Sequence, residues 1–119
     1  MVRKAALTLA FISTPAVADS TDGNDLYRQC TSNGAVELVA CHQYIIGAID
    51  GIYLASPDGQ EPFILPPNVK GEQVKDVVLR YLKDYPERRH WGAVVLVWNA
   101  MRSAFPNPNY QVRSGEPTK

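Results

Sequence analysis

The stretch VELVACHQYIIGAIDGIYLA, residues 36–55, decides the fold of this chain. Its apolar residues recur at the three- and four-residue spacing of an α-helix, so one wide face of that helix has to be buried by the rest of a small protein. We therefore predict that it is the central helix. The apolar face consists of Cys41, Ile45, Ala48, Ile49 and Ile52.

Two glycines distinguish this helix from an ordinary amphipathic one. Gly47 and Gly51 lie one turn apart on the same side, with Ala48 and Ala55 nearby. Glycine costs about 1 kcal/mol relative to alanine in a helix interior. The pair therefore indicates a helix-packing site, where a helix of the same chain or of a second copy approaches closely, unless the glycines are merely tolerated.

The first 18 residues have the pattern of an export signal. A short basic segment (residues 1–4) precedes an apolar run (residues 5–12), and Ala16-Val17-Ala18 has the small-x-small pattern of a signal-peptidase site. The apolar run is far shorter than the ~20 residues that span a bilayer. We therefore expect cleavage after Ala18, no membrane association afterwards, and a periplasmic mature chain.

Size and charge limit what the mature chain can be. Its 101 residues suffice for one modest core. It carries ten basic and twelve acidic residues, a net charge of −2. The basic residues are scattered rather than arranged in a stripe with aromatics, so the sequence gives no indication of nucleic-acid binding.

The two cysteines, Cys30 and Cys41, are eleven residues apart with the turn formers Ser32-Asn33-Gly34 between them. In an oxidising compartment an even cysteine count favours a disulfide. The alternative is a reactive or metal-binding Cys41 next to His42. Neighbouring residues on a helix point about 100° apart, so these two side chains would not face one site. We predict a structural disulfide.

Capping residues and prolines indicate where three further helices begin and end. A short helix ends at Cys30 and begins near the capping residues Asp22 or Asn24. A third helix runs from about residue 71 to 84, and a fourth, with Pro86 in its first turn, ends at Phe105 before a proline. The apolar residues predicted for the inner faces of the third and fourth helices are Val74, Val77, Val78, Tyr81 and Leu82, then Trp91, Val94, Trp98, Met101 and Phe105.

The connections complete the predicted architecture. The proline-rich loop of residues 57–67 contains Phe63-Ile64-Leu65, which we expect to attach it to the core, and residues 109–119 read as a flexible tail. The prediction is an all-α bundle of about four helices with one disulfide, forming a single domain over residues 19–108.

The sequence shows no catalytic or metal-binding pattern. His42 and His90 lie in different elements without ligand-like spacing to acids, and the chain has no nucleophile elbow, phosphate loop or HExxH motif. Asp50, between the two glycines, fits the solvent side of the central helix better than a buried anchor. We expect no catalytic residues, no metal, no cofactor and no enzymatic activity.

Several segments, taken in order, resemble one family. They are GNDLYRQC, CHQYIIGAIDGIY, a proline-containing loop, and VKDVVLRYLKDYPERRHWGAVVLVWNAMRSAFP, which together span about residues 23–108. In this order and spacing they resemble the Rap/Tai family of type VI secretion immunity proteins. The resemblance implies a small periplasmic helical protein that binds and blocks a cell-wall-degrading effector, typically a peptidoglycan amidase. It also implies that a homodimer is one form to test.

The sequence departs from the family pattern in two places. Relatives commonly carry a second cysteine pair at the positions of Ile64 and Asn107, and both cysteines are absent here. Relatives also tend to have Thr where Lys70 stands, followed by the Gln retained here as Gln73, so the capping box of the third helix is weakened.

Under the immunity hypothesis an exposed surface enters the cleft of the effector. Two surfaces are candidates: the outer side of the third helix with the turn after it, and the loop of residues 57–67. The candidate partner-binding residues of the first are Lys75, Asp76, Arg80, Lys83, Glu87, Arg88 and His90.

A second hypothesis is a small periplasmic stress protein similar to the HdeA family of acid chaperones. It predicts promiscuous client binding below about pH 4, where carboxylates protonate. The immunity hypothesis predicts one tight partner at neutral pH.

Overall fold

A computed structural model describes residues 20–112. It contains four α-helices and one short 3₁₀ helix: α1 (Gly23–Cys30), α2 (Ala35–Ala55), α3 (Gly71–Asp84), the 3₁₀ turn Pro86–Arg88, and α4 (Ala93–Ala104). The all-α prediction is confirmed. The predicted export signal and most of the predicted tail lie outside the described residues.

The core lies where the four helices meet. From α2 it receives Cys41, Ile45 and Ile49, and from α3 it receives Val74, Val78 and Leu82, all of them buried. These residues belong to the faces that the sequence predicted. Ala48, Ile52, Val77 and Tyr81, also predicted for those faces, are partly buried against the same core.

Helix α1 is fastened to α2 at its C-terminal end. Asp22 caps its start by accepting a hydrogen bond from the Asp25 amide at 2.9 Å, as predicted. Cys30 and Cys41 form the predicted disulfide, and both residues are buried. The bond therefore joins the end of a short helix to the central one inside the core.

The fourth helix starts later than the sequence indicated. Pro86 opens a 3₁₀ turn instead, and α4 begins at Ala93 after Gly92, which adopts an extended backbone (φ −55°, ψ 133°). The carbonyl oxygens of Arg89 and Trp91 accept hydrogen bonds from the backbone amides of Asn24 and Gly23, respectively, at 2.9 Å each. These carbonyls therefore satisfy amides at the start of α1. Tertiary contacts thus replace the predicted first turns of the helix.

The buried side of α4 also differs from the prediction. Of the five predicted residues only Met101 is fully buried, whereas Val94 is 45% exposed. The prediction followed the widely spaced aromatic residues near and on α4, which are only partly buried at the edge of the core. The close-packed side is formed mainly by smaller residues, and it consists of Ala93, Leu96, Val97, Asn99, Ala100 and Met101.

Gly23 shows why α1 and α4 come so close. A Cβ at this position would stand against Leu96 Cδ1 and 2.7 Å from the carbonyl oxygen of Arg89. Because backbone atoms cannot move aside as a flexible side chain can, only glycine fits here.

The loop before α3 is attached to the core, as predicted, though unevenly. Phe63 is completely buried, Leu65 is partly buried, and Ile64 is 53% exposed. The loop turns at Gly59, whose φ of +74° favours glycine. Phe63 is therefore the one fully buried residue of the apolar triplet, and Pro62 before it is buried as well.

The outer face of α2 is exposed and consists of Val36, Val39, Gln43, Gly47, Asp50, Gly51 and Leu54. A Cβ at Gly47 or Gly51 would meet nothing within 4 Å. No helix of residues 20–112 packs there, so the described part of the chain does not use the two glycines for close packing within one copy. Helix α2 is also long and apolar enough to cross a membrane, but a core helix passes the same test of length and composition.

Candidate functional site

The outer side of α3 brings together three of the predicted partner-binding residues. Asp76, Arg80 and Lys83 are exposed, and with Leu79 and Asp84 they line a shallow groove of about 240 Å³. Its charged groups are two carboxylates, Asp76 and Asp84, and two cations, Arg80 and Lys83, so both signs are present and balance. Such a surface suits a polar protein partner rather than a polyanion.

Lys75, on the flank of this surface, is already paired. Its ammonium lies 2.7 Å from Glu72 Oε2, and the Glu72 side chain is largely exposed. This hydrogen bond lowers the pKa of Glu72 and raises the pKa of Lys75. The pair sits in the first turn of α3, where a negative charge is favourable.

The start of α3 has half of a capping box. The Gln73 side chain accepts a hydrogen bond from the Lys70 amide at 2.9 Å. A lysine side chain has no acceptor with which to return the bond. The weakened cap expected from the sequence is therefore observed.

The other three predicted residues do not form one patch with the groove. Glu87 and His90 are exposed on the turn between α3 and α4. Arg88 instead lies against the fold, where its Nη1 donates to the Tyr81 hydroxyl at 2.9 Å and its guanidinium lies 4.4 Å from the Tyr85 ring centroid.

The loop of residues 57–67 is tied by hydrogen bonds to the segment after α4. The Ile64 amide donates to the Phe105 carbonyl at 3.0 Å, and the Asn107 side chain donates to the Glu61 carbonyl at 2.7 Å. Hydrogen bonds therefore hold these segments together at the positions of Ile64 and Asn107.

A cavity that the sequence did not indicate lies between the C-terminal halves of α3 and α4. Its volume is about 400 Å³, and its charged lining residues are Arg88 and Arg102. Asn99 also lines it and is 6% exposed, and its Nδ2 has no hydrogen-bond partner among the described residues. The lining residues come from separate segments of the chain, so no local sequence motif could predict the cavity.

The described residues include no group of three His, Cys, Asp or Glu side chains placed to hold a metal ion. His42 has a buried Nδ1, 3.9 Å from Glu72 Oε1, and His90 contacts the Trp91 ring edge-on. The two histidines therefore stay in separate surroundings, as predicted. Asp50 is exposed, which also agrees with the sequence.

Comparison with known proteins identifies the family. A family model described as Rap1a immunity proteins matches residues 22–107, more than two thirds of the chain, whereas no curated protein matches. The match covers all four helices, the disulfide and the tied loop. It confirms the resemblance read from the sequence, and the chain belongs to the family of Rap1a immunity proteins.

Proposed function

We propose that this chain is a periplasmic immunity protein that binds a peptidoglycan amidase delivered by type VI secretion and occludes its active-site cleft. The family match over residues 22–107 carries the proposal. The export pattern of residues 1–18 and the disulfide support the compartment, because disulfides persist in the oxidising periplasm.

The proposed contact surface is the groove on α3. Asp76, Arg80 and Lys83 extend from a helix whose opposite side is buried, so the backbone that carries them is already ordered and only their side chains lose freedom on binding. Arg88 is a weaker candidate, since its guanidinium is already held by Tyr81 and Tyr85. The exposed tip of the 57–67 loop is the alternative insertion element.

The test uses the mature chain with its disulfide intact. At neutral pH it should capture one amidase in a stoichiometric complex and abolish that enzyme's activity. The double variant Arg80→Glu/Lys83→Glu should weaken inhibition about tenfold or more, because like charges placed in an interface are repulsive. The measurement is residual amidase activity during titration with each variant.

Arg28→Glu is the control, because Arg28 is an exposed arginine on α1, away from the groove, and within residues 20–112 its ion pair is with Asp25. It should inhibit like the unmodified chain. Failure to capture any cell-wall hydrolase at neutral pH contradicts the proposal, and recovery of many clients only in acid would favour the HdeA-like chaperone. Equal inhibition by the α3 variant would exclude the groove and leave the loop.

We further propose that two copies pair through the outer face of α2. Val36 is 79% exposed and Leu54 is 90% exposed, and contiguous exposed apolar side chains of this size are typical of interaction surfaces. Gly47 and Gly51 lie between them with open space above, so the backbone of a second α2 can approach closely. A second copy offers the same surface, mainly apolar but with the exposed Gln43 and Asp50 on it, which suits a two-fold symmetric interface that leaves the Asp50 carboxylates at its rim.

Gly47→Leu is expected to convert a dimer into a monomer. The new side chain enters open space within one copy, so the fold should tolerate it, but it would hold two α2 helices apart. Light scattering coupled to size-exclusion chromatography measures the mass of each form.

Gly92→Leu is the control, because Gly92 also has open space around a Cβ but lies at the start of α4. It should remain dimeric. A monomeric unmodified chain at every concentration, or a dimeric Gly47→Leu variant, would contradict the α2 interface.

A further inference from the structure

We infer that the cavity between α3 and α4 is a binding site for a peptide C-terminal carboxylate. Binding of a carboxylate here would be separate from effector binding, because the cavity lies apart from the groove on α3. Its volume of about 400 Å³ falls within the roughly 300–1,000 Å³ of known small-ligand sites.

The charge of the cavity selects an anion. Arg88 and Arg102 line it, and no aspartate or glutamate of residues 20–112 does. Arg102 forms no ion pair with any carboxylate of residues 20–112, and Arg88 has only a long contact of 3.8 Å with Glu87 Oε1. Guanidinium groups bind carboxylates through paired N–H donors, so both arginines retain donors for a ligand.

The two guanidiniums are held in place before any ligand arrives. Arg88 is fixed by the Tyr81 hydroxyl and the Tyr85 ring. Arg102 lies 5.0 Å from the Trp98 ring centroid and 5.2 Å from that of Tyr110. Prior ordering of long side chains reduces the entropy lost on binding.

Asn99 is the feature that favours a peptide over a simple anion. Its side chain is 94% buried, it lines the cavity, and its Nδ2 group donates to nothing in the described part of the chain. An unpaired buried donor is costly, and a ligand carbonyl would remove that cost once the Asn99 amide, whose Nδ2 is closed to solvent, turns toward the cavity. A side-chain amide offers both a donor and an acceptor, which matches the backbone of a peptide.

The rest of the lining fits an organic body attached to the carboxylate. The ring of Tyr85 and the prolines Pro62 and Pro106 provide apolar contact, and Ser103 provides a further hydroxyl. A small inorganic anion would make no contact with these apolar side chains.

The test is a titration of the ¹⁵N-labelled mature chain with acetyl-Ala-Ala, followed by NMR. The peptide should shift the side-chain amide signals of Asn99, and acetyl-Ala-Ala amide, which lacks the charge, should bind about tenfold more weakly or worse. Arg102→Gln should weaken binding of the acid about tenfold, and Arg102→Lys should restore part of it. The spectrum of each variant also reports whether it is folded.

Arg28→Gln is the matched control, because Arg28 is an exposed arginine of α1 that lines neither this cavity nor the groove on α3. It should bind like the unmodified chain. The inference is overturned if neither peptide shifts Asn99, if acid and amide bind equally, or if inorganic phosphate or acetate binds as tightly as the acid. The last result would reduce the cavity to a general anion site.

Discussion

Phe63→Ala is expected to reduce the free energy of unfolding by about 3–5 kcal/mol, the usual cost of removing a fully buried phenylalanine. The ring is 0% exposed and packs against Tyr53 with their centroids 5.2 Å apart. Its removal would leave a cavity beneath a loop whose other attachments are mainly hydrogen bonds. Urea denaturation followed by circular dichroism measures the effect.

The damage should extend beyond the cavity itself. The Phe63 carbonyl accepts from the Tyr53 hydroxyl, which in turn accepts from the Leu65 amide, both at 3.3 Å. Phe63 also forms an isolated bridge with Pro106. A displaced ring would therefore loosen the loop from α2 and from the segment after α4 together.

Ile64→Ala provides the matched comparison at the adjacent position. Ile64 is about half exposed, so its truncation should cost less than about 1 kcal/mol, the range typical of surface substitutions. Equal destabilisation by the two substitutions would mean that Phe63 is not the anchor of this loop.

The contrast between Phe63 and Ile64 shows what the sequence could predict. An apolar triplet inside a proline-rich loop indicates attachment to the core, but it does not indicate which side chain points inward. That choice depends on the hydrogen bond from the Ile64 amide to Phe105, a residue 41 positions away. Helical periodicity predicted the faces of α2 and α3 because period and burial coincide there.

The start of α4 was predicted wrongly because it is determined by contacts with residues distant in the sequence. Residues 86–92 have a plausible helix start by local rules, yet the carbonyls of Arg89 and Trp91 bind the amides that begin α1. In the candidate site, too, the sequence predicted only the features that depend on local pattern. Exposure of Asp76, Arg80 and Lys83 followed from the pattern of α3, whereas the cavity needs α3 and α4 side by side.

Replacing both cysteines, Cys30→Ala/Cys41→Ala, is expected to cost about 3 kcal/mol. The bond closes a loop of eleven residues, and opening it frees the unfolded chain to adopt more conformations. For a domain of this size the loss corresponds to a fall in melting temperature of roughly 12 °C or more. Thermal unfolding followed by circular dichroism measures it.

Reduction of the unmodified chain separates the cross-link from the packing of its sulfurs. Both cysteines are buried, so the alanine pair also removes core volume, whereas dithiothreitol breaks the bond and leaves the sulfur atoms in place. The reduced chain should therefore melt between the oxidised chain and the double variant, and the variant should not respond to dithiothreitol. A reduced chain as stable as the oxidised one would mean that the four-helix core alone suffices. The disulfide would then no longer support the assignment to an oxidising compartment, because the fold would not depend on it.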